Sequence, residues 1–400
     1  MCEIEELLRQ KCDLLVVPLR TSRSIGKNTS RAVVSRSRLA SLASSEVLMA
    51  AVAEVWRRPG LTWRLLRKVA SARSLVTSAK NVAVFPKGLW LGQLARQWQA
   101  EHIHCQWAGA TATMALIASE VSGVSMSVTA HRWDIAEENL LVEKAGRAAF
   151  FRFISEDGLW DARDLGVADL HLKGVVLHLG VDLPRIDAIF GSSGERPVAL
   201  CPAHLIARKG HRFLLDAMKQ LSVEGLHFDL LLAGDGELRR ELAEYCKHLG
   251  IADRVSFLGR IPHRELLDLY RLGRVTFVVL PSLHEGIPVA LIEAMSYGLP
   301  VIGTRVGGTP ELLRDEAGIL VEAEDAAELS AAIRRILTDK RLRQRLADAG
   351  RRRIEQRFDV RQIVEQLTAL CGGVLGLTAT IPRTDDGQQD AAEVDRMMLG

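Results

Sequence analysis

Glu285 and Glu293 stand eight residues apart in a segment whose types already suggest chemistry. The apolar run before Pro281 reads as a buried strand, Ser282 to Ile287 as a loop, and the following stretch as a helix with Pro288 near its first turn and Gly298 at its end. Gly286 lets backbone approach a ligand closely, and free amides at a helix start donate to phosphate oxygens, so the loop suits a diphosphate. Glu293 falls in the second turn of a helix that is apolar nearly all round, where a carboxylate is costly to bury unless it is hydrogen-bonded. A vicinal diol such as a ribose would satisfy both its oxygens. Spacing alone fits two other readings equally well: Glu285 as a helix-start carboxylate favoured by the dipole, and Glu293 as part of a solvated face.

The elements that must position these groups follow from the rest of the chain. Four hundred residues predict two domains. From residue 100 onward, short β-branched runs alternate with amphipathic helical stretches, the pattern of an α/β protein with parallel sheets. Strands are expected at residues 103–105, 126–129, 174–177, 198–202, 229–233, 255–258, 275–280 and 301–304, and helices at 212–221, 237–249, 288–297 and 360–370. The expected organisation is an N-terminal Rossmann-like domain (1–186), a Gly- and Ser-containing linker (187–196), a second Rossmann-like domain (197–356), a helix returning toward the first domain (357–371) and a disordered tail (372–400). Ligands on such doubly wound sheets bind outside the carboxyl ends of the strands.

Over about residues 80 to 370 the sequence resembles retaining glycosyltransferase family 4, a GT-B-fold family carrying an E-x7-E motif. The run EGIPVALIEAMSYGLPVIGTRVGGTPELL, which begins at Glu285, is similar to its donor-site signature nearly throughout. The resemblance implies two doubly wound domains facing each other across a cleft, with Glu285 against the donor sugar, Glu293 on the ribose hydroxyls, and Gly286, Ile287 and Pro288 lining the site. Cys201 to His211 resembles the segment that gives an arginine and a lysine to the diphosphate. Lys209 matches the lysine, with a surface lysine before a helix as the other reading. His204 stands where an arginine is usual, and a neutral imidazole cannot replace a fixed, forked cation. Arg208 is adjacent, but a neighbouring side chain points elsewhere. Phe257, Leu258 and Gly259 match a strand end near the nucleotide base, and His131 matches a histidine near the transferred sugar.

The function so implied is retaining transfer of a sugar from a nucleoside diphosphate sugar to a hydroxyl acceptor, in surface polysaccharide or glycolipid assembly, with His131, Glu285 and Lys209 as catalytic residues. No cofactor or metal is called for, since no D-x-D motif follows a strand. The partners implied are the nucleotide sugar and a sugar or lipid-linked acceptor. The alternative is a degenerate, non-catalytic nucleotide-sugar-binding protein of the same fold. It is suggested by His204 and by the beginning of the chain: residues 3–8 read as the later part of a first helix leading into a strand at 13–17, so the family's first strand and cleft loop are expected to be missing. Losing a central strand would leave unpaired edges.

The formal charge of +3 conceals an asymmetry. The first hundred residues hold 17 Lys and Arg against 6 Asp and Glu, a net of +11, which leaves −8 for the remainder. Residues 47–68 mix Arg57, Arg58, Arg64, Arg67 and Lys68 with Trp56, Trp63 and aliphatic residues, predicting a basic amphipathic helical hairpin broken at Pro59 and Gly60. Such a surface attracts anionic headgroups, and it also reads as an ordinary solvated face or as a nucleic-acid contact without a recognised fold signature. Six scattered cysteines lack C-x-x-C or metal-ligand spacing, and the N-terminus has no secretory pattern. A cytoplasmic protein is expected, peripheral on the inner membrane face if the hairpin meets lipid, with no nucleic-acid partner.

Overall fold

The computed structural model describes residues 2–20, 30–167, 170–185 and 196–375. Among these, ten strands form two wholly parallel sheets. The first runs β1 (His102–Gln106), β2 (Ser125–Ala130), β3 (Phe151–Phe153), β4 (Gly174–Val176) in that spatial order. The second contains β5 (Val198–Cys201), β6 (Asp229–Ala233), β7 (Val255–Gly259), β8 (Phe277–Leu280), β9 (Val301–Thr304) and β10 (Ile319–Val321), ordered β10-β9-β8-β5-β6-β7. Its central strands are apolar on both faces: every residue of β8 and β9 is buried. Helices on both sides make that possible, as a parallel sheet requires.

The chain leaves β5 toward β6 and β7, then returns to place β8, β9 and β10 on the opposite side. The strand order therefore reverses between β5 and β8, and the loops leaving these two strands flank a crevice at their carboxyl ends. Lys209 lies on one loop and Glu285 on the other.

The first sheet is unlike the second. Ile103, Cys105, Met126, Val128, Phe151 and Phe153 form an apolar face with the helices behind it. The opposite face is polar: the His102 ring bonds Ser125 and Ser127, and the His104 ring bonds Ser127 and Thr129. Arg152, fully buried on that face, is held by Glu3 from the Cys2–Arg9 helix and by the carbonyl of Leu177. Burial of an arginine is tolerable only with such partners.

Three expectations need correction. Residues 13–17 add no strand to the sheet; Val16 makes a single bridge with Ser37, and Pro18, which has no amide to donate, follows at once. β3 and β10, three residues each, were not expected. The last helix runs Val360–Val374, through Gly372 and Gly373 and past the expected start of the tail at 372. Ile363, Leu367, Leu370, Cys371 and Val374 make one stripe on Phe150 and Leu177, so packing carries the helix across the glycines. Residues 187–195 of the expected linker and 376–400 of the expected tail lie outside the described residues.

Candidate functional site

The loop after β5 ends in a 3-10 turn, Ala207–Lys209, and then Gly210 at φ +64°. A Cβ on Gly210 would meet the Pro281 carbonyl oxygen at 1.9 Å, so only glycine lets this loop lie against the one leaving β8. Leu283 N donates to Arg208 O at 2.8 Å and ties the two loops together. Across this junction the Lys209 ammonium contacts Glu285 Oε1, and Ser282 Oγ donates to the same oxygen at 2.6 Å. Both charged side chains are nearly enclosed. Glu285 is thereby held by a cation and a hydroxyl whose own positions the backbone sets.

The helix after Glu285 is Val289–Ser296, with Pro288 as its N-cap and no side-chain cap; the Pro288 carbonyl takes the Leu291 and Ile292 amides, which leaves those of Val289 and Ala290 without a partner among the described residues. Gly298, at φ +70°, follows its end. Glu293 is half-buried on this helix and accepts from His263 Nε2 at 2.8 Å. That contact raises the His263 pKa above the ordinary imidazole value. Tyr270 lies deeper, with a buried hydroxyl that finds no partner among the described residues. The loop after β9 closes the far side: Gly308 N donates to Gly286 O at 2.6 Å, and Gly307 has no room for a Cβ beside Glu285 O.

The first sheet contributes from across the crevice. His131 follows β2 directly, and Trp107, following β1, stacks on its ring at 3.9 Å between centroids. His131 N donates to Asp134, as does Ala108 N, which fixes the two loops relative to each other. Burial holds the His131 pKa down at about 4, so its ring is neutral at pH 7. Arg132 Nη1 donates to Glu285 O at 2.9 Å. The Arg208 guanidinium lies 5.2 Å from the Trp133 ring centroid, pointing to the first sheet's side instead of substituting for an arginine at His204. Glu311 joins the halves below, accepting from Glu156 N at 2.9 Å and bonding His178 Nε2 at 2.6 Å.

Of the residues singled out by sequence, Lys209, Glu285, Gly286, Ile287 and Pro288 lie together on the facing loops, with Glu293 on the helix that begins there. His131 is tied in through its neighbour Arg132. His204 is exposed. Phe257 is half-buried in the middle of β7 with the Arg239 guanidinium 5.8 Å from its ring centroid, and Leu258 is exposed. Gly259, at φ +68°, bridges to Gly234. Sequence reasoning missed Ser282, Arg132, Trp107 and His263. Ser282 and Arg132 lie within three positions of motif residues in the chain, whereas Trp107 lies 24 positions before His131 and His263 thirty before Glu293, with no local signal.

Residues 183–353, which include every one of these donor-side groups, match the family model described as glycosyl transferases group 1. They are a glycosyl transferases group 1 domain. The group 1 domain is similar to alpha-D-kanosaminyltransferase of Streptomyces kanamyceticus, 31% identical over 155 residues, covering 38% of this chain and 40% of that protein. A longer match, 28% identical over 330 residues, reaches WcaL of Escherichia coli, named for colanic acid biosynthesis, and covers 77% of this chain and 78% of that one. The chain spans about half or less of the curated relatives with the strongest matches. Among solved structures, sucrose-phosphate synthase of Thermosynechococcus elongatus superposes with TM-score 0.63 at 22% identity, over 74% of this chain and 79% of that one. HepE of Anabaena in complex with UDP-glucose gives 0.61 at 21%, over 72% and 82%. The two parallel sheets with the group 1 domain second in the chain have the GT-B fold.

Proposed function

We propose that this chain is a retaining, family 4 glycosyltransferase that moves a hexose-type sugar from a nucleoside diphosphate donor to a hydroxyl acceptor. One observation carries the reading: the Lys209 ammonium and the Glu285 carboxylate meet at the strand-order reversal of the second sheet, beside a helix start whose Val289 and Ala290 amides have no partner among the described residues.

In this reading a diphosphate entering the crevice takes up the Lys209 ammonium and the first-turn amides of the Val289–Ser296 helix. These groups are set before substrate arrives, so they stabilise charge on the departing diphosphate without reorganising. Lys209 exchanges Glu285 for phosphate, which frees the carboxylate for sugar hydroxyls. Glu293 takes the ribose diol. His131, neutral at pH 7, positions the sugar through a hydrogen bond and adds no charge. Arg132 holds the Glu285 backbone, coupling closure of the crevice to alignment of donor and acceptor. His204, Phe257, Leu258 and Gly259 border the outer part of the donor site, where the substituted His204 weakens the grip on the diphosphate. The nucleotide sugars named with its relatives, UDP-glucose and GDP-mannose, suggest the first two donors to try. The acceptor is a sugar or a lipid-linked hydroxyl in polysaccharide or glycolipid assembly, met at the cytoplasmic face of a membrane.

The test is incubation of the protein with radiolabelled UDP-glucose, GDP-mannose and related nucleotide sugars, with and without membrane lipid extract. Transfer or donor hydrolysis that disappears in Glu285→Ala supports the enzyme. Nucleotide binding without turnover in any combination favours the non-catalytic binding protein instead, and absence of nucleotide binding removes both.

A further inference from the structure

The Ser45–Arg57 helix carries apolar residues on its outward face as well as its inward one. Its inward face carries Val47, Ala51 and a fully buried carboxylate, Glu54, which Arg96 holds at 2.7 Å. Its outward face carries Leu48, Val52, Val55 and Trp56 at helical spacing, with Met49 beside them; Trp56 is 83% exposed. The Pro59–Ala70 helix packs on the same Leu75–Gln97 helix through Leu65 and Val69, as Ala51 does from the first, so both solvent faces look away from a common support. Trp63 is 62% exposed on the second. Two large indoles and an aliphatic stripe left exposed on two helices that touch each other are more than a solvated helical face needs, because solvation alone would turn the tryptophans inward.

Cations border the patch. Arg57, Arg64, Arg67 and Lys68 make no ion pair with a carboxylate among the described residues. The carboxylates of this region are engaged elsewhere: Glu54 is buried on Arg96, and Glu46 pairs with Arg38 and accepts from Trp90 Nε1. Two exposed indoles, an aliphatic stripe and unpaired basic groups on two contacting helices match an interface of apolar acyl chains beneath anionic headgroups. Among the described residues no helix is long and apolar enough to cross a membrane, so this contact lies on the surface and does not span.

We propose that the 45–70 helical hairpin docks the protein on an anionic lipid bilayer, with Trp56 and Trp63 inserted at headgroup depth and Arg57, Arg64 and Arg67 over the phosphates. This goes beyond the sugar-transfer reading and does not depend on it. The test is co-sedimentation of the full chain with phosphatidylglycerol–phosphatidylcholine vesicles against pure phosphatidylcholine vesicles, in low and high salt. Binding is expected with the anionic vesicles only, weakening as salt rises. The variants Trp56→Ser with Trp63→Ser, and Arg57→Gln with Arg64→Gln and Arg67→Gln, are each expected to lose at least tenfold in vesicle affinity while their thermal unfolding and nucleotide binding stay unchanged. Four results overturn the proposal: equal binding to neutral vesicles, binding unaltered in both variants, preference for a single-stranded oligonucleotide over vesicles, or a dimer by light scattering that the Trp variants dissociate. The last would mean that a second copy covers the face.

Discussion

The Lys209 ammonium and the Ser282 hydroxyl share one oxygen of Glu285, so the carboxylate and the cation proposed to handle sugar and diphosphate are neutralised by each other. Removing either partner therefore has opposite effects on anion binding. Lys209→Ala is expected to weaken nucleoside diphosphate binding about 10- to 100-fold, the range of a charge-assisted hydrogen bond. Glu285→Ala is expected to leave that affinity unchanged or to tighten it, because it releases Lys209, while abolishing turnover. Calorimetric titration of both variants checks the pair.

Gly210 separates a loop defect from a loss of chemistry. Its φ of +64° and the 1.9 Å that would separate an added methyl from the Pro281 oxygen leave no place for alanine. Gly210→Ala is expected to shift the loops after β5 and β8 apart, lowering stability by about 1–3 kcal/mol and nucleotide affinity by at least tenfold. Denaturant unfolding and titration report the two effects separately.

His263 predicts a pH dependence. Its bond to Glu293 raises its pKa, so the interaction is fully present below the ordinary imidazole value and is lost as pH rises through the raised one. A ribose that takes Glu293 must displace the imidazolium and release its proton. Nucleotide affinity is therefore expected to increase with pH across that window, and His263→Ala to flatten the profile while raising affinity at pH 6. A profile of the same slope in the variant contradicts this role.

Glu3 is expected to matter for stability out of proportion to its place near the chain end. It forms a bidentate pair with Arg152, which is fully buried on the polar face of the first sheet. Glu3→Ala leaves a buried guanidinium without its counter-charge, and a loss of about 3–5 kcal/mol follows. Replacing Arg152 as well, as Glu3→Leu with Arg152→Met, is expected to recover much of it. Thermal unfolding of the single and double variants is the measurement.

What could be read in the sequence divides along physical lines. β6 and β9 have the ends expected for them, because each is a short, largely apolar run, β9 wholly buried and β6 mostly so. β3 escaped because its middle residue is Arg152, whose burial depends on distant partners, Glu3 149 positions away and the Leu177 carbonyl 25 positions on. The segment 13–17 failed in the opposite direction: it is apolar enough for a strand, yet Val16 alone pairs. Local pattern records burial well and partnership poorly.

The site divides in the same way. Lys209, Glu285 and Glu293 stood out through the long runs around them that resemble a donor-site signature, while their residues and spacing alone left other readings open. The contacts that set their chemistry did not. Arg132 reaches Glu285 O across 153 residues, and His263 reaches Glu293 across thirty. Arg208, adjacent to Lys209 in sequence, is drawn to Trp133 on the other side of the crevice. Which neighbour a cation prefers is a tertiary fact.

The central claim is a nucleotide cradle completed by Glu293 on the helix after the Glu285 loop. Calorimetric titration of UDP-glucose and GDP-mannose into the intact protein and into Glu293→Ala tests it most directly. The prediction is saturable, one-to-one binding of at least one of these donors, weakened about 10- to 100-fold in the variant by loss of the ribose contact. Equal affinity in the two proteins, or no binding of either donor, would contradict it.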